Sequence, residues 1–531
     1  MAGNSQWDAI IIGGGHNGLV CAAYLAKAGR KVLVLERRHV LGGAAVTEEL
    51  YPGFHFSVCS YVVSLLRPKI IRELELAKHG LEILPLDTTF LPLPDGRSLA
   101  RWEDAGRTYD EIRKFSQIDA DRYGEFGLAM GKMSQFVGPI LEMTPPSPTS
   151  RNPLELMEFL KLGKRFTDLR NDDRHNLVRL MTGSAVDLLD QWFESEPLKA
   201  TMSGSGIIGT FLGPRSPGSA YVLLHHYMGQ IDGAYRAWGF AKGGTGGISL
   251  SIANAAQAYG AEIRTSAGVQ KILVSGNQAS GVVLENGDEI HAKTVVSGVD
   301  PHLTFLRMVG KDHLDDEFST NVKRFKMRGS SGKVNLALDR IPDWTCRPGT
   351  EHLRGDVNIA PSYDYLERAY DDAKYGSFSR RPFMNIVYPT LTDSSLAPPG
   401  KHIMSCFVQY APYHLKEGAD DWPNQREAFG KAVVDTIEEY CPDIRDCILH
   451  QQTLTPWDLE KEFGLTEGNI FHGELSLEQL FFLRPTAKWA RYKTPISKLW
   501  LCGSGAHPGG GIMGSPGANA ARDLLRSGEV S

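Results

Sequence analysis

Glycines near the start of the chain follow the spacing Gly13-x-Gly15-x-x-Gly18, which could bind the pyrophosphate of a dinucleotide. Backbone amides at a helix N-terminus supply the binding groups. Gly15 lets the backbone approach the pyrophosphate, and Gly18 lets the helix close on the sheet. Glu36, at the end of the next strand, can accept hydrogen bonds from a ribose diol, which favours FAD or NAD over NADP.

A further glycine pair favours FAD over a nicotinamide cofactor. Gly42 and Gly43 follow Glu36 with the spacing Glu-x5-Gly-Gly, an extension seen in many FAD enzymes and not in simple NAD dehydrogenases. Two other matches to the glycine pattern, at 204–209 and 509–514, lack the strand-turn-helix-strand frame. A single complete fingerprint argues against separate FAD and NAD domains.

A second glycine cluster lies near the other end of the chain. Residues 503–514 contain Gly503, Gly505, Gly510, Gly511 and Gly514, directly after an apolar strand predicted at 498–502. Pro516 suits the first turn of a final helix. The pattern predicts that this loop approaches the flavin from the side opposite the first glycine loop.

Elements that could position these loops can be predicted from periodicity. Residues 9–12 and 31–36 are apolar runs typical of buried parallel strands, and the helix between them carries small residues. Residues 104–200 follow helical spacing, 248–300 return to alternating strands and helices, and 333–410 contain strand-like alternation. The chain is therefore predicted to combine α/β and α+β parts.

Composition excludes several classes of protein. The chain has 531 residues, 42% hydrophobic and 22% charged, with a net charge of −5, so it is predicted to be globular and not to bind nucleic acid. The seven cysteines show no Cys-x-x-Cys spacing, which argues for a reducing compartment and against a metal site. Neither a secretory signal nor a membrane-spanning run is expected.

Residues 13–19, 52–61, 65–68 and 501–511 give the chain a family resemblance. Through them it resembles the FAD-dependent phytoene desaturase and amine oxidase superfamily, and within it the group of pyridine nucleotide-disulfide oxidoreductase domain-containing protein 2. The resemblance implies a glutathione-reductase-like FAD-binding Rossmann domain, a mixed-sheet substrate domain and a helical lid. It implies an FAD-binding domain built from residues 1–75, 241–310 and 491–531, and a substrate domain built from 76–240, with the lid, and 311–490.

The FAD-binding residues are predicted from the motifs together with the resemblance. They are Gly13, Gly15, His16, Asn17, Gly18, Glu36, Arg37, Gly42, Gly43, Val269, Gly503, Gly505, Gly510, Gly511 and Gly514. Removing hydrogen from a C–H bond also needs a base for the second proton. The catalytic candidates are His507, His226 and His16, each with a packing or cofactor-contact role as the alternative.

The predicted function is flavin hydride transfer, as desaturation, dehydrogenation or saturation, on a lipophilic small molecule. A flavin amine oxidase is one alternative, and an FAD-binding protein with a regulatory or interaction role is another. Amphipathic helices at 150–200 are predicted to form a lid or touch a membrane, with ordinary core helices as the alternative. The protein is expected to be a homo-oligomer. It is expected in the cytoplasm, where it could associate with a membrane, or in the mitochondrial matrix if the source is a eukaryote.

Overall fold

A buried strand and a helix that begins at the first glycine loop open the fold. The computed structural model describes residues 7–231, 234–235 and 238–530. Its strands are β1 Trp7–Ile12, β2 Val32–Leu35, β3 Thr47–Tyr51, β4 Phe54–Ser57, β5 Ile83–Pro85, β6 Thr88–Pro92, β7 Ser98–Trp102, β8 Gln230–Ile231, β9 Ala234–Tyr235, β10 Gly239–Ala241, β11 Glu262–Arg264, β12 Val269–Ser275, β13 Gln278–Leu284, β14 Glu289–Ser297, β15 Ser331–Leu338, β16 Asp356–Ile359, β17 Phe383–Val387, β18 His402–Gln409, β19 Ile448–Leu454 and β20 Leu499–Leu501.

The α-helices connect these strands and cover their sheets. They are α1 His16–Lys27, α2 Pro68–Glu73, α3 Ala105–Arg113, α4 Gln117–Leu141, α5 Pro153–Thr167, α6 Asn171–Thr182, α7 Ala185–Asp190, α8 Glu196–Ser203, α9 Ser219–Tyr227, α10 Gly246–Ala258, α11 Asp316–Arg324, α12 Tyr363–Lys374, α13 Trp422–Glu438, α14 Ile444–Cys447, α15 Pro456–Phe463 and α16 Ser515–Ser527. A π-helical segment, His302–Val309, follows β14.

The first sheet has a parallel half of the Rossmann type. Its order is β11-β2-β1-β14-β13-β12, and β20 pairs with β14 in parallel. All four residues of β2 are buried, as in a strand covered on both faces. Helices α1 and α16 approach closely because Gly517 lies against the backbone of Asn17, where a Cβ would come within 2.1 Å of the Asn17 carbonyl oxygen. The predicted FAD-binding Rossmann domain is confirmed.

The second sheet has two chemically different faces. Its order is β19-β15-β18-β17-β16-β6-β7. One face is apolar and packs on α13, for example through Val334, Leu336 and Ile386. Residues that alternate with these on successive strands form a row across the other face that is polar except for Phe407, which we call the polar row: Lys333, Phe407, Asn385, Asn358, Asp356, Thr89 and Arg101. This row forms much of the floor of the space beneath the helices α4 to α9.

Helix α5 differs from the other lid helices because none of its residues is buried. Leu154 is 69% exposed and Leu160 is 70% exposed. Within the described residues, no helix combines the length and apolar character needed to cross a bilayer.

The strands of both sheets lie within the sequence segments predicted for their domains. The strands of the first sheet come only from 1–75, 241–310 and 491–531, and those of the second sheet only from 76–240 and 311–490. The boundaries themselves stay a prediction. The predicted mixed-sheet architecture with a helical covering is confirmed.

Candidate active site

A long cleft runs along the carboxyl ends of β1 and β2. We call it the nucleotide cleft. It contains every predicted FAD-binding residue from the first part of the chain, together with Val269: Gly13, Gly15, His16, Asn17, Gly18, Glu36, Arg37, Gly42, Gly43 and Val269. Its volume is about 350 Å³, within the range of roughly 300–1,000 Å³ that is typical of ligand pockets.

The Glu36 carboxylate is fixed at one end of this cleft. One oxygen accepts a hydrogen bond from the Gly14 amide at 2.7 Å, and the other accepts one from the Arg38 amide at 2.8 Å. A carboxylate has acceptor capacity for further donors. Glu36 is therefore both a clamp on the glycine loop and a site for the hydroxyls of a ribose.

Unused polar groups in the cleft fit the phosphate and ring portions of FAD. Helix α1 begins at Gly15 with no side-chain cap and no acidic residue in its first turn, which leaves amides for an anion. A Cβ on Gly15 would meet only open space, with the Gly42 carbonyl oxygen 4.0 Å away. Buried His16 Nε2 and Asn17 Oδ1 have no hydrogen-bond partner among the described residues.

The terminal glycine loop reaches the same cleft through Ser504. The Asn17 side-chain amide donates to Ser504 Oγ at 2.9 Å, which joins the two ends of the chain. Arg484, fully buried, holds this loop from behind by donating to the Ser504 carbonyl oxygen at 2.8 and 3.0 Å and to the Phe471 and Gly473 carbonyl oxygens at 3.0 Å. Convergence of the two glycine loops agrees with the sequence prediction.

Most of the terminal glycines serve close packing rather than lining the cleft. A Cβ on Gly503 would lie 2.4 Å from the Gly298 carbonyl oxygen, and one on Gly510 would lie 2.5 Å from the Phe471 ring. Gly505 and Gly514 likewise face Pro301 and Ile70. FAD contacts through these four glycines stay a prediction; Gly511 instead lines the neighbouring pocket.

An apolar pocket continues from the nucleotide cleft. The two spaces share the wall residues His16, Ala44, Ile470 and Ser504. Most of the remaining lining is apolar: Ala45, Tyr61, Val62, Leu65, Ile208, Trp238, Phe407, Phe471 and Ile512. The Tyr61 and Phe407 rings stack on each other with centroids 5.4 Å apart. The pocket is therefore a mainly apolar space that continues from the nucleotide cleft.

The structure separates the three histidine candidates. His16 lines both the cleft and the apolar pocket, and His226 lines the pocket between the Trp238 and Phe471 rings. His507 lines neither space; its Nε2 hydrogen-bonds to the Ile140 carbonyl oxygen at 2.9 Å. Burial lowers the pKa of each imidazole to about 4, so all three are neutral at pH 7. Their catalytic roles stay predictions.

Comparison with protein families decides the class of the protein. Residues 18–515 match the sequence model of the flavin containing amine oxidoreductases. The chain belongs to this family. It is an FAD-dependent oxidoreductase, and FAD is the cofactor for which the nucleotide cleft is built.

Three similar proteins show how broad this flavin-containing family is. Pyridine nucleotide-disulfide oxidoreductase domain-containing protein 2 of Rattus norvegicus is 40% identical, with 98% of this chain and 94% of that protein covered. A lycopene-forming phytoene desaturase of Pseudescherichia vulneris is 26% identical, with 95% and 96% covered. A putrescine oxidase triple mutant has the same fold, with a TM-score of 0.60, 16% identity, and 98% and 99% covered.

The cysteines of this flavin-containing family member do not form a disulfide, since all seven are free thiols. Sequence reasoning missed several residues of its cleft, including Leu303, Phe463, Thr466 and His472. These residues come from the π-helical segment 302–309, the end of α15 and the chain after it, which only the tertiary fold brings together. The stretch Asn469-Ile-Phe-His472 also takes part in the family resemblance, and this was the available signal for His472.

Proposed function

We propose that the protein uses FAD to dehydrogenate or saturate a lipophilic small molecule, in the manner of a phytoene desaturase. The observation that supports it is the apolar pocket that adjoins the nucleotide cleft at His16, Ala44 and Ser504. When bound, FAD supplies the hydride acceptor, or the donor in the reverse direction. Likeness to a phytoene desaturase over nearly the whole chain also supports the proposal.

The residues around the apolar pocket contribute orientation and exclusion of water. The bulky side chains of Ile208, Phe407 and Phe471 offer dispersion contacts to an extended alkene and contain no ionisable group. Holding a C–H bond in a fixed geometry is a large part of the catalysis of such a reaction. His16, whose Nε2 lacks a partner among the described residues, is a polar residue that lines both the pocket and the cleft.

The same pocket favours a neutral substrate over a cationic amine. Among the described residues, no carboxylate lines it. The Tyr61 and Phe407 rings lie against each other at 5.4 Å and leave no gap between them for an aliphatic amine. An amine oxidase remains the alternative that the experiment below discriminates.

The proposal includes contact with a membrane through α5, from which a lipophile could be taken. The exposed side chains of this helix include Leu154, Met157 and Leu160, and its last turns carry Lys161 and Arg165. An apolar row beside cations suits the interface of an anionic bilayer. The compartment and the oligomeric state stay predictions.

Anaerobic flavin reduction tests the proposed reaction. Purified FAD-loaded protein is mixed with an isoprenoid alkene or with putrescine, and bleaching of the yellow absorbance is recorded. Bleaching by the alkene, with a product lighter by H₂, is the expected result. Bleaching only by the amine would overturn the proposal in favour of an amine oxidase. Bleaching only by dithionite, with no reoxidation of that reduced flavin by the alkene, would overturn it in favour of an FAD-binding protein with an interaction role.

A further inference from the structure

A second chamber, more polar than the apolar pocket, lies beyond it under the lid helices. We call it the polar chamber. Its volume is about 390 Å³, and its floor is the far end of the polar row, including Thr89, Arg101, Asp356 and Asn385. The roof comes from Tyr123 of α4 and Thr201 of α8. Neither the hydride-transfer proposal nor the family match accounts for this chamber.

Arg101 is a buried cation that has no carboxylate partner among the described residues. It is only 9% exposed, and its Nη1 donates a long hydrogen bond of 3.4 Å to the Tyr123 hydroxyl. Its Nε has no partner, and no carboxylate lies within 4.0 Å among residues 7–231, 234–235 and 238–530. Burying a charge is costly unless it is paired. Arg484, which is fully buried, differs because backbone carbonyl oxygens accept from all three of its nitrogens.

Two of the chamber's three acidic residues, Asp87 and Asp356, are already engaged by other partners. Asp87 is ion-paired with Arg354 at 2.6 Å. Asp356 accepts hydrogen bonds from the Thr89 hydroxyl and the Asn385 amide, each at 2.9 Å. Two further buried polar atoms of the chamber, Thr201 Oγ1 and Asn385 Oδ1, have no partner among the described residues. An acceptor from a ligand would satisfy Arg101 and Thr201 together.

The polar chamber adjoins the apolar pocket. Ile208 and Trp238 line both spaces. A small cavity between them is lined by Arg101, Ser205 and His226, so that Arg101 and His226 face one connected region. A ligand could therefore reach from the cofactor side of the pocket to Arg101.

We propose that the substrate is an amphiphile whose apolar part occupies the apolar pocket and whose carboxylate binds Arg101 in the polar chamber. The inference rests on the proposed function, because it names the substrate class of the same site. A carboxylate matches the planar guanidinium geometry. A dianionic phosphate suits the chamber less well, because Asp356, Asp87 and Glu103 also line it.

Calorimetric titration of the FAD-loaded protein tests the proposal without turnover. The probes are decanoate, decan-1-ol, decylamine and decyl phosphate, which share one apolar chain. Decanoate is expected to bind at least about tenfold more tightly than decan-1-ol, because hydrogen bonds to a charged group are worth about 1.5–3 kcal/mol. In Arg101→Gln, the decanoate affinity is expected to fall to that of decan-1-ol.

Two variants keep the test specific. Arg97→Gln is the matched control, because Arg97 is exposed just before β7 and paired with Asp95, and it is expected to bind all probes like the wild type. Thr201→Val is expected to weaken decanoate alone, by a smaller factor, and tests the same site if Arg101→Gln does not fold. The melting temperature of ligand-free Arg101→Gln is expected not to fall, whereas a merely structural arginine would lower it.

Several results would overturn the proposal. They are equal binding of decanoate and decan-1-ol, unchanged decanoate binding by folded Arg101→Gln, and tighter binding of decylamine or decyl phosphate than of decanoate. Failure of the hydride-transfer proposal gives a different result, namely no alkene-dependent bleaching in wild type while the binding differences persist.

Discussion

The nucleotide cleft and the substrate spaces are built in different ways. The glycine loop, Glu36 and Gly42 of the cleft lie close together in one stretch of chain, and later segments complete the wall around them. The polar row beneath the lid is made from six neighbouring strands, β15, β18, β17, β16, β6 and β7, and each contributes one or two side chains. Function is therefore encoded locally in one region and by strand register in the other.

This difference predicts where a single substitution acts. In the cleft, backbone conformation does the binding, so adding one methyl group can abolish it. In the substrate spaces, side-chain charge and shape do the binding, so a substitution should alter specificity or pH dependence while FAD stays bound. Substitutions in each region, and outside both, can test this contrast.

The largest effect is expected from Gly15→Ala. Gly15 has φ −71° and ψ 162°, which alanine tolerates, and its Cβ would meet open space in the apoprotein. The methyl group would occupy the place where a pyrophosphate must approach the backbone. FAD affinity is expected to fall at least about a hundredfold, or ~2.7 kcal/mol, with the melting temperature of the apoprotein unchanged.

Fluorescence titration of apoprotein with FAD measures this loss. Gly163→Ala is the matched control, because Gly163 lies in exposed α5 and a Cβ there meets nothing within 4 Å. It is expected to bind FAD like the wild type. Retention of FAD affinity by Gly15→Ala would show that the loop does not hold the pyrophosphate.

The same contrast explains what could be predicted from sequence. Gly13, Gly18 and Glu36 lie within one strand-turn-helix-strand unit, so their spacing alone implied their arrangement. In β15, Lys333 and Asn335 alternate with Val334 and Leu336, which indicates a strand with one polar face. An antiparallel strand can turn such a face to water. Only the pairing with β18 and the lid above it make that face part of a buried cavity floor.

Lys333→Met tests whether the polar row carries a buried charge. Lys333 is fully buried, its Nζ donates to the Ser60 carbonyl oxygen at 3.0 Å, and burial lowers its pKa from 10.5 to about 7. Between about pH 7 and pH 10.5, the Lys333 amine therefore carries a proton in the unfolded chain that it lacks in the folded protein. The free energy of unfolding should therefore rise with pH by about 1.4 kcal/mol per unit through this group.

Urea unfolding at about pH 7.5 and about pH 9 measures that slope. The methionine variant should be more stable than the wild type at the lower pH, and its advantage should shrink by about 2 kcal/mol at the higher pH. Lys271→Met, at an exposed position on β12, should leave the slope unchanged. Parallel pH dependence in wild type and Lys333→Met would mean that Lys333 stays charged in the folded protein.

His507→Gln and His16→Gln together compare the two glycine loops, since each loop carries one of these histidines. The His507 Nε2 is hydrogen-bonded to the Ile140 carbonyl oxygen and lies outside both functional spaces, whereas His16 lines both. Replacing His507 is expected to cost about 1 kcal/mol of stability and to leave the rate of flavin reduction unchanged. His16→Gln is expected to change FAD affinity or that rate with little loss of stability. A large rate defect in stable His507→Gln would instead support its catalytic role.

The smallest effect is expected at α5, the helix that belongs to neither functional region. Leu160 is 70% exposed, so Leu160→Ser should change stability by less than about 0.5 kcal/mol. If α5 lies on an anionic bilayer, the same substitution should weaken binding to phosphatidylserine-containing vesicles about threefold, because one apolar contact with the interface is lost. Leu449→Ser, at another exposed leucine on β19, should leave vesicle binding unchanged. Equal cosedimentation of both variants with the wild type would exclude Leu160 from the membrane contact. If Leu160→Ser loses vesicle binding while FAD binding is intact, uptake of the lipophile from the membrane and its reaction at the flavin depend on different residues.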